Sequence, residues 1–170
     1  MVMPLPVGRR LRVGDGWRAG AGSVDVDGAG ADYREIFEAA TSPAAAGAGA
    51  RDAEGWVRAV LEGTPAPVRW FLRAGWRFGL GLRLGPASSP RHVLGWPIAA
   101  SDPEAVRLAA DSPLLSAELL LRVRPAAITL TTSVTFTRRA ARPLWAAALP
   151  LHRLTVPRLL RRAVAAPPSS

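Results

Sequence analysis

Two histidines are the first residues to consider for chemistry in this chain. His152 falls within the apolar pattern of a C-terminal helical segment, so it is expected to face the interior. There an imidazole can act as a catalytic acid or base, or anchor a ligand; the alternative is a packed histidine that is hydrogen-bonded to the backbone or to a carboxylate. His92 stands beside Arg91 and is expected to be exposed. The sequence therefore nominates His152 as the catalytic or ligand-contacting residue.

Aromatic side chains and one hydroxyl extend this candidate site. Four of the six tryptophans fall on the apolar faces of predicted elements, namely Trp56, Trp76, Trp96 and Trp145. Such side chains line ligand pockets, although ordinary core packing explains them equally well. Thr132 is the lone polar residue on the predicted inward face of its strand, where it could bond a ligand or a neighbouring group. Together with His152, these residues form the predicted ligand-binding set.

The rest of the composition narrows the chemistry. The chain has no cysteine, which excludes disulfides, thiolate metal sites and cysteine nucleophiles. With two histidines, a metal would have to rest on carboxylates, and Asp32, Glu35, Asp111 and Glu118 show no paired spacing. No Gly-x-Gly-x-x-Gly, Walker or Gly-x-Ser-x-Gly pattern occurs. We therefore predict neither a metal nor a cofactor.

The charge of the chain is basic and regional. The formal charge is +9, and all 22 basic residues are arginine. Residues 1–62 carry 7 arginines and 9 acids, a balance of −2, whereas residues 63–170 carry 15 arginines and 4 acids, a balance of +11. Such an excess favours contact with an anionic substrate, a membrane surface or nucleic acid. No groove-fitting basic and aromatic element is evident, so no specific nucleic-acid binding is predicted.

A strand and a long helix in the C-terminal half must position these residues. Over 127–137 the side chains alternate, with apolar residues and Thr132 on one face and threonine or serine on the other. Over 142–164 a helix is predicted, with the apolar stripe Trp145, Ala148, Leu149, His152, Val156, Leu159, Leu160 and Ala163. A sheet with one apolar face needs such a helix as its cover, and this arrangement often encloses a cavity.

The preceding segments predict a strand, two helices and a meander. Residues 33–38 alternate as a first strand or a short helix would. Asp52 is placed to cap a helix that ends near Glu62, and Thr64-Pro65 begins a second helix. Strands are predicted over 92–98, 104–110, 115–124 and 127–137. The domain is expected to span 32–166, between a flexible Gly/Arg-rich arm over 1–31 and a tail over 167–170.

Two surfaces suggest partners. Arg69, Arg73 and Arg77 recur every four residues along the second helix and form a basic side, which could contact an anionic membrane surface or remain a solvated face. Leu144, Leu151 and Leu154 lie off the main stripe of the last helix and leave a homodimer contact open. No secretory signal is evident, so a cytoplasmic location is expected.

Short segments spread over residues 32–166 carry a family resemblance. They are Asp32-Tyr33, the Arg-Asp-Ala-Glu-x-Trp run over 51–56, His92-Val93-Leu94-Gly95-Trp96, Ser112-Pro113-Leu114-Leu115, Leu130-Thr131-Thr132, and Trp145 with His152 and Pro157. With the order of elements, they resemble an actinobacterial branch of the SRPBCC superfamily. This superfamily has the START/Bet v 1-like helix-grip fold and includes polyketide cyclases and lipid-transfer proteins. None of the segments is a catalytic signature.

The resemblance implies an α+β, helix-grip-like fold, in which an antiparallel meander sheet is covered by a long C-terminal helix. It also implies a cavity between sheet and helix. We therefore predict a binding or carrier protein for a hydrophobic or amphipathic small molecule, lipid or polyketide-like. One alternative is a cyclase or dehydratase on the same scaffold that uses His152 with a nearby carboxylate or tyrosine. The other is a peripheral membrane or partner-binding protein that uses the basic side.

Overall fold

A computed structural model describes residues 30–41 and 51–166. The predicted arm over 1–31, apart from residues 30 and 31, and the predicted tail over 167–170 lie outside these residues. Within the described chain the predicted α+β fold is confirmed. A first strand is followed by two short helices, five further strands and a long C-terminal helix.

The strands of the described chain form one six-stranded antiparallel sheet. They are β1 (Tyr33–Ala40), β2 (His92–Val93), β3 (Trp96–Ser101), β4 (Ala105–Asp111), β5 (Leu115–Arg124) and β6 (Ala127–Phe136). Their spatial order is β1-β6-β5-β4-β3-β2, so β2 to β6 form a meander and β1 joins it by pairing with β6. The segment over 33–38, for which strand and helix were both open, is therefore a strand.

The alternation predicted for β6 sets the inner face of the sheet. Ile128, Leu130, Thr132 and Val134 are all buried on that face. Ser133 on the opposite face is buried as well, although a wetted face was expected there. In the register it stands between Arg34 and Glu118, whose long side chains can shield it.

The segment over 92–98, predicted as one strand, is a tight hairpin. Val93 pairs directly with Trp96, and the two residues between them, Leu94 and Gly95, form the turn with φ angles of 49° and 93°. Positive φ at both turn residues gives the twist that a two-residue hairpin requires. The prediction of a single strand was wrong because a leucine rarely adopts this conformation, so the turn has little signal in the sequence.

Three helices cover the apolar face, α1 (Ala53–Leu61), α2 (Ala66–Ala74) and α3 (Ala141–Ala165). Asp52 caps α1 as predicted, since its Oδ1 accepts a hydrogen bond from the backbone N–H of Gly55 at 2.7 Å. The third helix agrees with the prediction over 142–164 and continues through Pro150 and Pro157. Over residues 30–41 and 51–166, no helix is both long and apolar enough to cross a membrane.

Helix α2 runs into a π-helical segment, Gly75–Gly79, which the sequence did not predict. Its defining bond runs from the N–H of Leu80 to the carbonyl of Gly75 at 3.0 Å, five residues back. Such segments are rare and often occur at functional sites. The two glycines at its ends carry no side chains, whereas Phe78 between them is largely exposed.

Helix α1 is tied to the β2–β3 hairpin by an arginine and a glutamate. The guanidinium of Arg58 donates to the carbonyls of His92 at 3.0 Å and Pro90 at 2.9 Å. Glu62 Oε1 accepts from the N–H of Leu94, a turn residue, at 2.8 Å. Because the hairpin ends the meander, these bonds fix the far edge of the sheet relative to α1.

Replacing Gly95 should test the hairpin turn. A Cβ on Gly95 would lie 2.5 Å from Arg73 Nη1 and 3.0 Å from the carbonyl oxygen of Gly85, and its φ of 93° disfavours a side chain. We therefore expect Gly95→Ala to lower the free energy of unfolding, measured in urea, by about 1–3 kcal/mol. The control is Gly75→Ala, where a Cβ meets no atom within 4 Å and stability should be unchanged or higher. Equal free energies of unfolding for the two variants would contradict the tight, positive-φ turn at Gly95.

Candidate functional site

A cavity of about 330 Å³ lies between the inner face of the sheet and the helices. Its floor is formed by Ala117 and Leu119 of β5 and by Leu130 and Thr132 of β6. Helix α3 covers it, and α2 with the π-helical segment forms one side. The space exists in part because small residues stand at facing positions, namely Ala117 below, Ala147 and Ala148 above, and Gly75 and Gly79 at the side. The predicted helix over the sheet thus leaves a void beneath it.

The cavity opens to the surface between α2 and α3. Phe71 of α2 and Leu151 of α3 both line it and are both exposed. Gly75 and Gly79 line the same region and are exposed as well. The mouth is therefore bounded by apolar side chains on two helices and by the two glycines of the π-helical segment.

Five of the six residues predicted to bind a ligand line this cavity. They are Trp76, Trp96, Thr132, Trp145 and His152. The rings of Trp76 and Trp96 meet edge to face, with centroids 5.4 Å apart. Trp56 does not line it: its ring is buried in the core and stacks under the guanidinium of Arg51 at 5.1 Å. Periodicity placed Trp56 on a buried face, but it could not tell which neighbours that face meets.

The cavity wall contains buried polar atoms without partners. Thr132 Oγ1, Trp96 Nε1, Trp145 Nε1 and His152 Nε2 make no hydrogen bond to any described residue. Thr132, Trp96 and Trp145 are only 3%, 2% and 6% exposed, so surface water does not readily satisfy them. An unsatisfied buried donor or acceptor costs roughly 1–3 kcal/mol. Each of the four atoms is enclosed by packed side chains, so a group placed in the cavity reaches it only if the wall moves.

His152 lies between two aromatic rings on the cavity side of α3. Its ring centroid is 5.9 Å from that of Phe37 and 5.5 Å from that of Trp145. Burial lowers the pKa of His152 to about 4, and it outweighs the opposing effect of the nearby carboxylate of Glu35. The imidazole is therefore neutral at pH 7. A neutral imidazole can donate or accept a hydrogen bond at Nε2 but carries no charge into the cavity.

Behind these rings lies one buried carboxylate, Glu35, whose pairing with Tyr33 and Arg153 was not predicted from the sequence. Glu35 of β1 accepts hydrogen bonds from the hydroxyl of Tyr33 and from Arg153 Nε, the latter at 3.1 Å to Oε1. Burial, followed by the bond to Glu35, raises the pKa of Tyr33, so the phenol stays protonated. The sequence did carry a signal, because Glu35 shares the inward face of β1 with Tyr33 and Phe37. A carboxylate on such a face needs a partner, but the partner is 118 residues away.

The predicted basic side of α2 is largely occupied by contacts within the protein. Arg69 Nη1 donates to the carbonyl of Glu62 at 2.9 Å, and Arg73 Nη1 donates to the carbonyl of Leu94 at 3.1 Å. Arg77 lies over the ring of Phe78 at 6.0 Å. Two of the three arginines therefore fasten α2 to its neighbours. Their hydrogen bonds satisfy backbone carbonyls at the end of α1 and in the hairpin turn.

Exposed aromatic rings stand on the same helix and the segment that follows it. Trp70 is 72% exposed and Phe78 is 80% exposed, and Phe71 at the mouth of the cavity is exposed too. We refer to Trp70, Phe71 and Phe78 as the aromatic lip.

No family model, curated protein or solved structure matches the chain. Within residues 30–41 and 51–166, no group of three or more histidine, aspartate or glutamate side chains is placed to hold a metal ion.

The pKa of His152 predicts how stability depends on pH. Its value is about 4 in the folded chain against 6.5 for an ordinary histidine, so the unfolded chain takes up the proton first as the pH falls. The stabilising effect of the neutral form is complete above pH 6.5 and is lost between pH 6.5 and 4, by at most about 3 kcal/mol. Urea unfolding of the wild-type protein should show this loss.

The matched variant is His152→Leu, in which this part of the pH dependence should disappear while the contribution of the carboxylates remains. An NMR titration provides a direct check, since the chain has two histidines and the variant assigns the His152 signal. That signal should not shift between pH 8 and 5.5. A midpoint near 6.5 would contradict the buried, neutral imidazole.

Proposed function

We propose that this protein binds and carries a hydrophobic or amphipathic small molecule, lipid or polyketide-like, in the cavity between the sheet and α3. The observation that supports this function best is the apolar cavity of about 330 Å³. The cavity is open at its mouth, so water contacts its apolar wall when no ligand is bound. An apolar ligand would remove that area from water, at roughly 25 cal/mol per Å². This gain is the main physical reason to expect an apolar ligand.

The family resemblance supports the same proposal. In the SRPBCC superfamily the expected arrangement is a first strand, two helices, a meander sheet and a long C-terminal helix over a cavity. The element order of this chain agrees with that expectation. We propose membership on this basis, together with the short segments that carry the resemblance. Since fold analogy alone does not establish activity, the function rests on the cavity.

A cyclase or dehydratase remains the alternative proposal, with His152 as its base and Tyr33 or Glu35 as its partner. General acid–base catalysis works best when the pKa lies near the working pH. The pKa of His152, about 4, makes it a weak base at neutral pH. Glu35 is already paired with Arg153 at 3.1 Å. These two features favour a carrier, in which His152 serves as a hydrogen-bonding group.

Filling the cavity should abolish ligand binding. Ala148 on α3 lines the cavity, whereas Ala146 on the same helix is exposed and does not line it. We expect Ala148→Phe to weaken binding of a hydrophobic fluorescent probe by tenfold or more, because the ring takes up the space of the ligand. Ala146→Phe is the matched control and should bind as the wild type does. Equal binding by both variants would place the probe elsewhere.

The ligand itself can be sought in the purified protein. Native mass spectrometry of gently purified protein, followed by solvent extraction, should reveal a reproducible bound lipid or polyketide-like compound, and Ala148→Phe should lack it. An empty protein that also fails to bind the probe would count against the carrier function.

The aromatic lip favours a second proposal, contact with a membrane surface. Trp and Phe rings with adjacent cations are typical of helices that rest in the interface of an anionic bilayer. Trp70 and Phe78 are largely exposed, and Arg77 lies over the Phe78 ring. The net positive charge of residues 63–170 is complementary to the negative charge of an anionic membrane surface. We propose that the rings of the lip, more than Arg69 and Arg73, would make this contact.

Vesicle co-sedimentation tests the lip. The wild-type protein should bind vesicles of phosphatidylcholine and phosphatidylglycerol at low salt, and binding should weaken as salt is raised. The Trp70→Ser/Phe78→Ser variant should partition at least about tenfold less, since each buried ring contributes roughly 1.5–3 kcal/mol. Leu154→Ser removes an exposed apolar side chain on α3 and is the control. Absence of wild-type binding, or binding without preference for the anionic lipid, would rule out the proposal.

A homodimer remains a further proposal. Leu151 and Leu154 of α3 are exposed, and Leu144 and Leu151 also line the cavity. A second copy seated on Leu151 would cover the mouth. Sedimentation velocity over a range of protein concentrations would detect such a dimer.

A further inference from the structure

The floor of the cavity offers carbon atoms, and no hydrogen-bonding group, to a ligand. Three of its four residues are alanine or leucine, and the hydroxyl oxygen of the fourth, Thr132, has no accessible surface. The backbone groups of the floor belong to β5 and β6, which pair with neighbours on both sides and therefore use these groups within the sheet. Trp96 and Trp145 also line the cavity with carbon only, because the Nε1 atom of each indole is enclosed.

The remaining polar side chains of the wall lie within one helical turn of a mouth residue. The accessible wall as a whole is almost entirely apolar. His152 and Thr155 follow Leu151 of the mouth by one and four positions on α3, and Trp76 follows Gly75 in the π-helical segment. A polar group on the ligand therefore finds protein groups or water near the mouth, and finds neither at the floor.

The cavity also lacks an ionic partner for a charged group. None of the residues that line it is an aspartate, glutamate or arginine. Glu35 is engaged by Tyr33 and Arg153, and it does not line the cavity. A carboxylate or phosphate carried into this wall would lose its hydration without gaining a partner. A charged head group therefore stays at the mouth, in contact with water.

The size of the cavity limits how much of a ligand it can enclose. A volume of about 330 Å³ lies at the lower end of the range for ligand pockets. The cavity opens between Phe71 of α2 and Leu151 of α3, both of which are exposed and apolar. One apolar chain or a small ring system suits this space, and it can enter past apolar side chains while its polar group remains outside.

We propose that the cavity holds the apolar part of a single-headed amphiphile, with its chain on the floor and its polar group at the mouth between α2 and α3. This inference rests on the proposed carrier function and narrows its ligand class. A lipid-like molecule with one polar end fits the wall. A polyketide with oxygens along its length does not, because each oxygen carried to the floor would lose water without gaining a partner.

Four probes with ten carbons each test the position of the polar group. They are 1-decanol, its isomer 5-decanol, 1,10-decanediol, and decanoate, an anion at pH 7. Affinities are measured by isothermal titration calorimetry at pH 7, below the solubility limit of each compound. Ala148→Phe, in which the cavity is filled, is used to subtract binding outside it.

The polar group should be tolerated at the end of the chain and nowhere else. We expect 1-decanol to bind about tenfold more tightly than 5-decanol, because a hydroxyl carried into the wall loses its hydrogen bonds to water. The diol should be weaker than 1-decanol by a similar factor, since one of its hydroxyls must enter. Decanoate should bind comparably to 1-decanol, because its charge stays in water.

A series of 1-alkanols tests whether the chain reaches the floor. Each added methylene should strengthen binding about fourfold until the chain fills the cavity, after which the affinity levels off. Ala117→Leu enlarges a floor residue and should move this plateau to shorter chains. Ala109→Leu is the matched control on the neighbouring strand, since Ala109 does not line the cavity, and it should leave the series unchanged. Circular dichroism checks that both variants are folded, and the comparison of the four probes on the wild-type protein needs neither variant.

The outcomes separate the ligand class from the carrier function. Preference for 1-decanol over both 5-decanol and the diol supports the inference. Equal or tighter binding of either compound within the cavity would overturn it while the carrier function stands, and so would an unchanged plateau in folded Ala117→Leu. If no ten-carbon probe binds, a hydrophobic fluorescent probe that binds the wild type and not Ala148→Phe would overturn the chain class alone. Failure of that probe as well would count against both.

Discussion

The single apolar face of the six-stranded sheet is the constraint on which the rest of the structure depends. Such a face must be covered, and only three helices of the described chain are available to cover it. Helix α1 packs directly on β4 and β5, and α3 packs on β1 and on α1. Between these two contacts the helices leave space over the centre of the sheet, where Ala147 and Ala148 of α3 and the two glycines of the π-helical segment stand among larger apolar side chains. The cavity is therefore a consequence of how a limited set of helices spans a wide sheet.

The ion pair between Glu35 and Arg153 helps to fix where α3 crosses the first strand. The carboxylate is buried, so losing its arginine would leave a charge without a partner, which costs far more than the pair contributes when intact. His152 is adjacent to Arg153 in the helix, and the same anchoring therefore places its ring between Phe37 and Trp145. The position of His152 in the cavity wall thus depends on a contact that itself lies outside the cavity.

The spacing of apolar residues predicted much of the fold. Alternation in strands and a repeat of 3.6 residues in helices both indicate directly which side chains are buried. The strand over 127–137, the stripe of α3 and the cap at Asp52 were all identified in this way. Features without a local signal were missed. The turn at Leu94 depends on an unusual φ, and the π-helical segment depends on how α2 meets its neighbours. Trp56 and Trp76 looked alike in sequence, yet one lies in the core and the other lines the cavity.

Helix α2 shows why the spacing of charges is a weak guide to a surface. A row of arginines four residues apart predicts a basic face turned to the solvent, but a guanidinium also satisfies backbone carbonyls at helix ends and turns. Arg69 and Arg73 do so and fasten α2 to its neighbours, while Trp70 on the same helix is exposed. The helix that borders the mouth of the cavity is therefore also the one that displays aromatic rings. A surface or partner that covered Phe71 would also cover the mouth of the cavity, since this ring lines it.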